Sequence, residues 1–395
     1  MGEDMFERLC ETVAKPGIDS KVVQVAILQL VGGRERQQDA GAPIRDEIHV
    51  AIVADAAVNL SRFITALEDI IPKSASAHLN GTSTTHSGAI GSVKDEELSR
   101  GPFLDESTLV SYVEQADALD SRTTNALQQV LDSRRYSFTK RTYQSTVDAP
   151  GGIFLAANPP NGPFNDYEEP SDQLTIPLKV VKATDITLFN KTDSTEFSST
   201  ADPLSPDRAA EHILDAWSKR PTLTDDAAET IRDHVTNYRD AIADIDVGEY
   251  GSAVTFGPDR LEESMRRLTE AHAKARLEDE ATVENAEAIV DLYEPSHDDL
   301  GVILPTDGTF DADIIETPDD SEHDLLSDDA KEQREALKEI VGDLEMEYDH
   351  GAPIDEIISR TGEIGMGPSK TEHLLDTLKQ RGEAYEPRTD TLRTT

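Results

Sequence analysis

The sequence predicts an α/β protein: a parallel-sheet core with helices, then an all-helical region, then a small C-terminal module of helices and paired strands. Three observations carry that reading. Residues 109–113 and 152–157 are short apolar runs, rich in β-branched and aromatic residues and bounded by turn residues, as buried strands are. Residues 48–53 form a third such run, followed by a loop and a helix-spaced segment at 61–71 that Pro72 closes. From Ala209 onward the apolar residues recur at three- and four-residue steps, the period of amphipathic helices.

Length and charge bound the rest. The chain has 395 residues, which suggests two to three domains, and a hydrophobic fraction of 37%, enough for ordinary cores. Asp and Glu number 79 against 37 Lys and Arg, a net charge of -42, so a polyanion is repelled unless basic residues gather locally. The acid is spread along the whole chain, which suits a carboxylate-coated surface in a high-salt cytoplasm; an acidic tail for a basic partner is the alternative. Cys10 is the one cysteine, which excludes an internal disulfide and a cysteine-built metal site, and its helical spacing from Phe6 reads as core. No apolar run approaches the ~20 residues of a membrane span and no basic-then-apolar leader is visible, so the expectation is a cytoplasmic protein.

Taken in order, residues 6–13 and 22–30 read as amphipathic helices, the second stopped by Gly32 and Gly33. Residues 54–61 are a strand–helix turn in the place of a phosphate-binding loop, but they contain no glycine and no lysine. Residues 78–93, rich in Gly, Ser and Thr, read as a flexible hairpin or loop, and His78 and His86 within it as surface histidines. Residues 121–132 form a helix. Arg134, Arg135, Lys140 and Arg141 then alternate with Tyr136, Phe138 and Tyr143 in a hairpin. Basic groups interleaved with aromatics suit a single-stranded nucleic acid, and charges paired with neighbouring carboxylates are the other reading.

Helices are expected at 209–217, 225–238, 260–275 and 283–293, with Thr224 and Thr282 at two of the starts. Residues 305–329 read as a disordered acidic linker. Residues 332–348, 354–360 and 370–381 are helical, and 384–387 with 391–393 make a small β wing, the order of a winged-helix module. That order places the domains at 1–205 for the α/β core, 206–300 for the helical region, 301–330 for the linker and 331–395 for the winged helix.

Short motifs along this order resemble a known family. Residues 27–33 (ILQLVGG) are similar to LLLQLFGG, and Ile44-Arg45 through Val50 to IRGDIHI, of the archaeal MCM replicative helicases. Residues 117–127 (DALDSRTTNAL) resemble DKLDERTRNAL, Ala156-Ala157-Asn158-Pro159 the sensor-1 strand, and Leu223-Thr224-Asp225-Asp226-Ala227 the start of a lid helix. Residues 382–387 (GEAYEP) resemble the terminal GEIYEP. The likeness runs from about residue 6 to 393. It implies an AAA+ P-loop-type core at 1–205, a lid at 206–300, ATP and Mg2+ as cofactors, DNA as substrate and a ring of subunits. The family's N-terminal DNA-encircling, zinc-binding domain has no counterpart in these motifs, so the expectation is the C-terminal half alone, of haloarchaeal origin.

The departures from the family set the functional expectation. In GDPGTAKS the lysine position falls on Leu60, while Asp55 and Ser61 are kept. The metal-organising Asp falls on Glu114, and the water-activating Glu on Gln115, whose amide cannot act as a general base. The arginine finger falls on Ala183, beside Lys182, a point charge rather than a planar fork. Asn158 and Arg260 keep the sensor positions, and Lys140 matches the lysine of the DNA-contacting hairpin, with Arg141 next to it. The resemblance therefore implies an MCM-like subunit with impaired catalysis that associates with DNA or with a full-length MCM. In that case ATP and Mg2+ bind only insofar as the altered site still holds them. The alternative is a subunit of an active mixed ring that lends Asn158, Lys182 or Arg260 to an intact neighbour; a decaying copy is the third reading. Scattered charge in the winged helix, with many acids among the basic residues, favours a protein partner over DNA for that module.

Overall fold

The computed structural model describes residues 2–35, 45–94, 97–140, 143–160, 162–165, 170–192, 195–197, 201–244, 253–302 and 304. It also describes short pieces of the last fifty-six residues: 340–341, 344, 348, 352–363, 371, 375, 384–388 and 391–394. Two compact units divide the chain, Met1–Thr309 and Phe310–Thr395.

The first unit opens with helices α1 (Gly2–Val13) and α2 (Ser20–Val31). Strand β1 (Val50–Ala54) leads into α3 (Leu60–Glu68) and then β2 (Ser76–Asn80). A single turn, α4 (His86–Ala89), precedes the hairpin β3 (Gly91–Lys94) and β4 (Glu97–Arg100). Next come β5 (Val110–Glu114), α5 (Ser121–Ser133), the hairpin β6 (Arg135–Lys140) and β7 (Tyr143–Asp148), and β8 (Gly152–Ala157). The short α6 (Leu178–Val181) and β9 (Ile186–Asn190) complete the core. Four helices follow: α7 (Pro206–Ser218), α8 (Asp225–Asp244), α9 (Pro258–Ala275) and α10 (Val283–Asp299). Two-residue strands β10 (Thr222–Leu223) and β11 (Glu280–Ala281) pair in parallel between them.

The central sheet has the order β2-β5-β8-β1-β9, and every neighbouring pair is parallel. Both faces are covered, so β1, β5 and β8 are almost continuously apolar, as a doubly covered parallel sheet requires. Alternate residues feed two cores. Val50, Ile52, Tyr112 and Phe154 pack with α1, α2, α3 and the C-terminal helices. Ala51, Val53, Val113 and Leu155 pack with α4, α5 and the two hairpins.

Residues 78–93 are not a loop. Ser76–Asn80 is the edge strand of the central sheet, paired with β5 from Ser76↔Val110 to Asn80↔Glu114. Its polar composition belongs to a strand that has only one neighbour and buries only Leu79 fully. Helix α10 also runs on past Pro295 to Asp299, beyond the expected end at Tyr293. Proline removes the N–H that would bond the carbonyl four residues back, but that residue, Asp291, is exposed. Beyond the proline, the Ser296 hydroxyl donates to Thr187 O at 2.6 Å and holds the last turn against β9.

A buried ionic cluster fastens α9 to the sheet. The Asp185 carboxylate, at the start of β9, accepts from Arg267 Nη2 at 2.5 Å and from Ser264 Oγ and the His49 N–H at 2.7 Å each. Arg45 Nη1 lies 2.9 Å from its other oxygen. Burial alone would raise this carboxyl; Arg267 and Arg45 more than offset it and hold the group well below the usual carboxylate range. The Tyr293 hydroxyl bonds Asp185 O at 2.7 Å, so α10 joins the same point.

A second buried pair lies between α8 and α10. His234 Nε2 and His297 Nε2 are 3.3 Å apart, with Tyr238 and Tyr293 rings 4.6 and 5.6 Å from the His297 ring. Burial pushes His234 down to about 4, and burial with the neighbouring imidazole pushes His297 down to about 3.

In the second unit, β12 (Ala352–Pro353), α11 (Ile354–Glu363), β13 (Ala384–Arg388) and β14 (Thr391–Thr394) are described, with sheet order β12-β14-β13. Val341, Leu344, Ala352, Ile357 and Leu375 form its apolar centre. Most of the expected helices at 332–348 and 370–381, and the linker at 305–329, lie outside the described residues.

Candidate functional site

The carboxyl ends of β2, β5, β8 and β1 converge on one cleft of about 370 Å³. This is where an open parallel α/β sheet places its ligand site. Residues 56–61 form one wall, Asn80, Glu114 and Gln115 another, and Ala156, Ala157 and Asn158 the floor. Leu60, Ser61, Glu114, Gln115 and Asn158, far apart in sequence, are thus brought together. Among the described residues that line the cleft there is no lysine or arginine.

The loop from β1 to α3 is closed on itself. The Asp55 N–H donates to Asn190 O, Val58 N–H to Asp55 O and Leu60 N–H to Val58 O. The Asn59 side chain is the N-cap of α3 and accepts from the Arg62 N–H at 3.1 Å. These are the kind of donors that a glycine-rich loop turns toward phosphate oxygens. Asp55 itself does not line the cleft. It is buried, and it accepts from the Phe164 and Thr192 N–H groups at 2.6 Å each, tying two neighbouring loops to the end of β1.

Glu114 and Ser61 remain paired: Ser61 Oγ donates to Glu114 Oε1 at 2.5 Å. The next residue, Gln115, has a left-handed backbone with φ 52°. Gly81 fits against it, because a Cβ there would stand 1.9 Å from Gln115 O. Asn158 Nδ2 donates to Ala54 O at 2.7 Å. The donor set fits a divalent cation at the Ser61 hydroxyl and Glu114 carboxylate. It does not fit a triphosphate, which would meet a carboxylate without a lysine and N–H groups already engaged.

Lys182 and Arg260 stand outside this cleft. Lys182 is exposed. Arg260 donates to Ala183 O and pairs with Asp132 at 3.2 Å. Lys140, on the β6–β7 hairpin, donates to Val93 O at 2.6 Å and so bridges to β3. Arg141 lies outside the described residues.

Sequence reasoning missed His78. On β2 its Nε2 lies 3.4 Å from Glu114 Oε2 and its Nδ1 lies 3.8 Å from Glu68 Oε2. Reading 76–80 as a strand with alternate residues facing α3 would have found it. His86, the other histidine set aside, hydrogen-bonds the Tyr136 hydroxyl at 3.1 Å.

The sheet order, the parallel pairing and a cleft between the β1–α3 turn and the tips of β5 and β8 fit an AAA+ P-loop fold with a helical lid. Residues 1–214 match the family model of the MCM P-loop domain, and residues 210–297 that of the MCM AAA-lid domain. The chain belongs to the MCM family. It is 21% identical over 364 residues to the minichromosome maintenance protein MCM of Saccharolobus solfataricus, covering 87% of this chain and 51% of that one. It is 22% identical over 325 residues to the DNA replication licensing factor MCM5 of Arabidopsis thaliana, covering 74% and 44%. It is 23% identical over 261 residues to the DNA replication licensing factor mcm7 of Schizosaccharomyces pombe, covering 58% and 33%. The chain thus spans about half the length, or less, of these relatives.

Proposed function

We propose that this chain is a catalytically impaired relative of the ATP-dependent DNA replication helicase, acting as a DNA- or MCM-associated subunit. The cleft carries that reading. Where phosphoryl transfer needs a cation on the β- and γ-phosphates, a general base and an arginine from outside, this chain has Leu60, Gln115 and Ala183. The loop's own hydrogen bonds add a backbone reason: the N–H groups of Val58, Leu60 and Arg62 already have acceptors. The acidic excess of -42 supports a haloarchaeal cytoplasm as its setting. A C-terminal winged helix for protein contact is part of the same proposal.

The test is ATP turnover by the purified chain at high salt, with and without single-stranded DNA. Loss of an arginine finger alone lowers such rates by roughly 10³–10⁵-fold, so the expected result is no turnover above background in either condition. Turnover within about tenfold of an intact archaeal MCM, abolished by Glu114→Ala, would overturn the reading; tenfold is about 1.4 kcal/mol of barrier.

One observation favours a second reading, a contribution in trans to a mixed ring. Lys182 is exposed and Arg260 sits two hydrogen-bonded steps from it at Ala183, and neither lines the chain's own cleft. On that reading, adding this chain to full-length MCM raises ATP turnover, and Lys182→Ala removes the gain.

A further inference from the structure

We propose that His78 and Glu114 form a site for a borderline divalent metal such as Zn2+, with the Ser61 hydroxyl as third donor and no nucleotide required. The geometry is already close to a ligand set. Two donor atoms on one tetrahedral zinc, each about 2.0–2.2 Å from the metal, stand roughly 3.3 Å apart. His78 Nε2 and Glu114 Oε2 are 3.4 Å apart. Ser61 Oγ touches the other oxygen of the same carboxylate. Behind the ring, Glu68 Oε2 lies 3.8 Å from Nδ1. A carboxylate on the far nitrogen fixes a metal-binding imidazole and strengthens it as a donor.

Each group stands on a regular element. His78 is on β2, Glu114 ends β5, and Ser61 and Glu68 are on α3. The His78 and Glu114 side chains are 35% and 19% exposed, accessible to an ion yet held by their neighbours. Among the described residues no three His, Cys, Asp or Glu side chains converge on one point. The site therefore has open positions that face the cleft, as exchangeable rather than structural metal sites do. The imidazole also sets the selectivity. Mg2+ takes oxygen ligands and keeps its waters, whereas Zn2+, Co2+ and Ni2+ favour a nitrogen donor.

The experiment is calorimetric titration of the nucleotide-free full chain with ZnCl2 and with MgCl2, at high salt to screen diffuse binding to surface carboxylates. Co2+ absorption serves as a spectroscopic check on nitrogen coordination. Zn2+ is expected to bind at least about tenfold more tightly than Mg2+. His78→Ala is expected to weaken Zn2+ by about tenfold or more and leave Mg2+ unchanged, and Glu68→Gln to weaken Zn2+ by a comparable second-sphere factor, on the order of tenfold. His86→Ala should change nothing, and each variant's thermal melt establishes that it is folded. Equal Zn2+ affinity in wild type and His78→Ala overturns the proposal, as does equal affinity for Zn2+ and Mg2+; His78 is then only an ion-pair partner of Glu114 and Glu68. The titration contains no nucleotide, so its outcome is separate from that of the ATPase test.

Discussion

Asp185→Ala is expected to lower the thermal midpoint of the full chain's main unfolding transition by on the order of 10 °C. The Asp185 and Arg267 side chains are 0% and 1% exposed, and Arg45 is 12% exposed. Removing the carboxylate leaves two guanidinium groups facing each other without a counter-charge. Breaking a buried pair in this way costs about 3–5 kcal/mol, and a domain of this size loses roughly 2–4 °C per kcal/mol. The His49 N–H and the Ser264 hydroxyl lose their acceptor as well. Asp185→Asn keeps the shape and two of the acceptor contacts, and should fall between wild type and Asp185→Ala. Glu211→Ala, which breaks an exposed pair with Arg208, should move the midpoint hardly at all. Circular dichroism melts of the three variants check the order. An Asp185→Ala midpoint within 2 °C of wild type, by the conversion above, would mean that the cluster does not fasten α9 to the sheet.

Stability is also expected to fall steeply as the pH drops below about 6.5, because His234 and His297 are held neutral. Above the ordinary histidine value both folded and unfolded chains carry these imidazoles uncharged, and their contribution is constant. Below it the unfolded chain takes up protons that the folded chain refuses until about pH 4 for His234 and about pH 3 for His297. The folded state therefore binds fewer protons, and stability is lost as pH falls, at about 1.4 kcal/mol per pH unit for each proton. His272, pushed down to about 4 by burial and by Arg276, adds to the same slope. Denaturant unfolding at steps from pH 7 to pH 5 measures the slope. His234→Gln should remove about one proton's worth of it; an unchanged slope would show that the pair does not titrate on unfolding.

Much of the fold was legible because burial writes itself in composition. The strands β1, β5 and β8 are covered on both faces, so their apolar runs are unbroken and bounded by polar turns. The capped starts at Thr224 and Thr282 were equally plain, and both side chains make helix-start bonds. The edge strand β2 was not, because Ser-Ala-His-Leu-Asn has one fully buried residue and lies among glycines and threonines that signal a loop. The end of α10 was hidden by Pro295, whose helix-breaking effect depends on whether the freed carbonyl reaches solvent. In the site, the substituted positions 60, 114 and 115 could be located by motif order, since Ser61 and Glu114 are 53 residues apart yet bonded. The partners of those residues could not. His78 reaches Glu114 across two strands, and Asp185 reaches Arg267 across 82 residues. No local pattern encodes either meeting.

The N-cap of α3 bears on how the cleft changed over evolutionary time. Asn59 answers the Arg62 N–H from within the chain, so the end of the helix dipole that would face an anion is already satisfied. Restoring a lysine at 60 or a glutamate at 115 returns one side chain and leaves that backbone as it is. The loop thus works as a ratchet. Once its glycines had gone and its own side chains had taken over the free N–H groups, no single reversion led back, and selection on the cleft was left to act through Ser61, Glu114 and their neighbours.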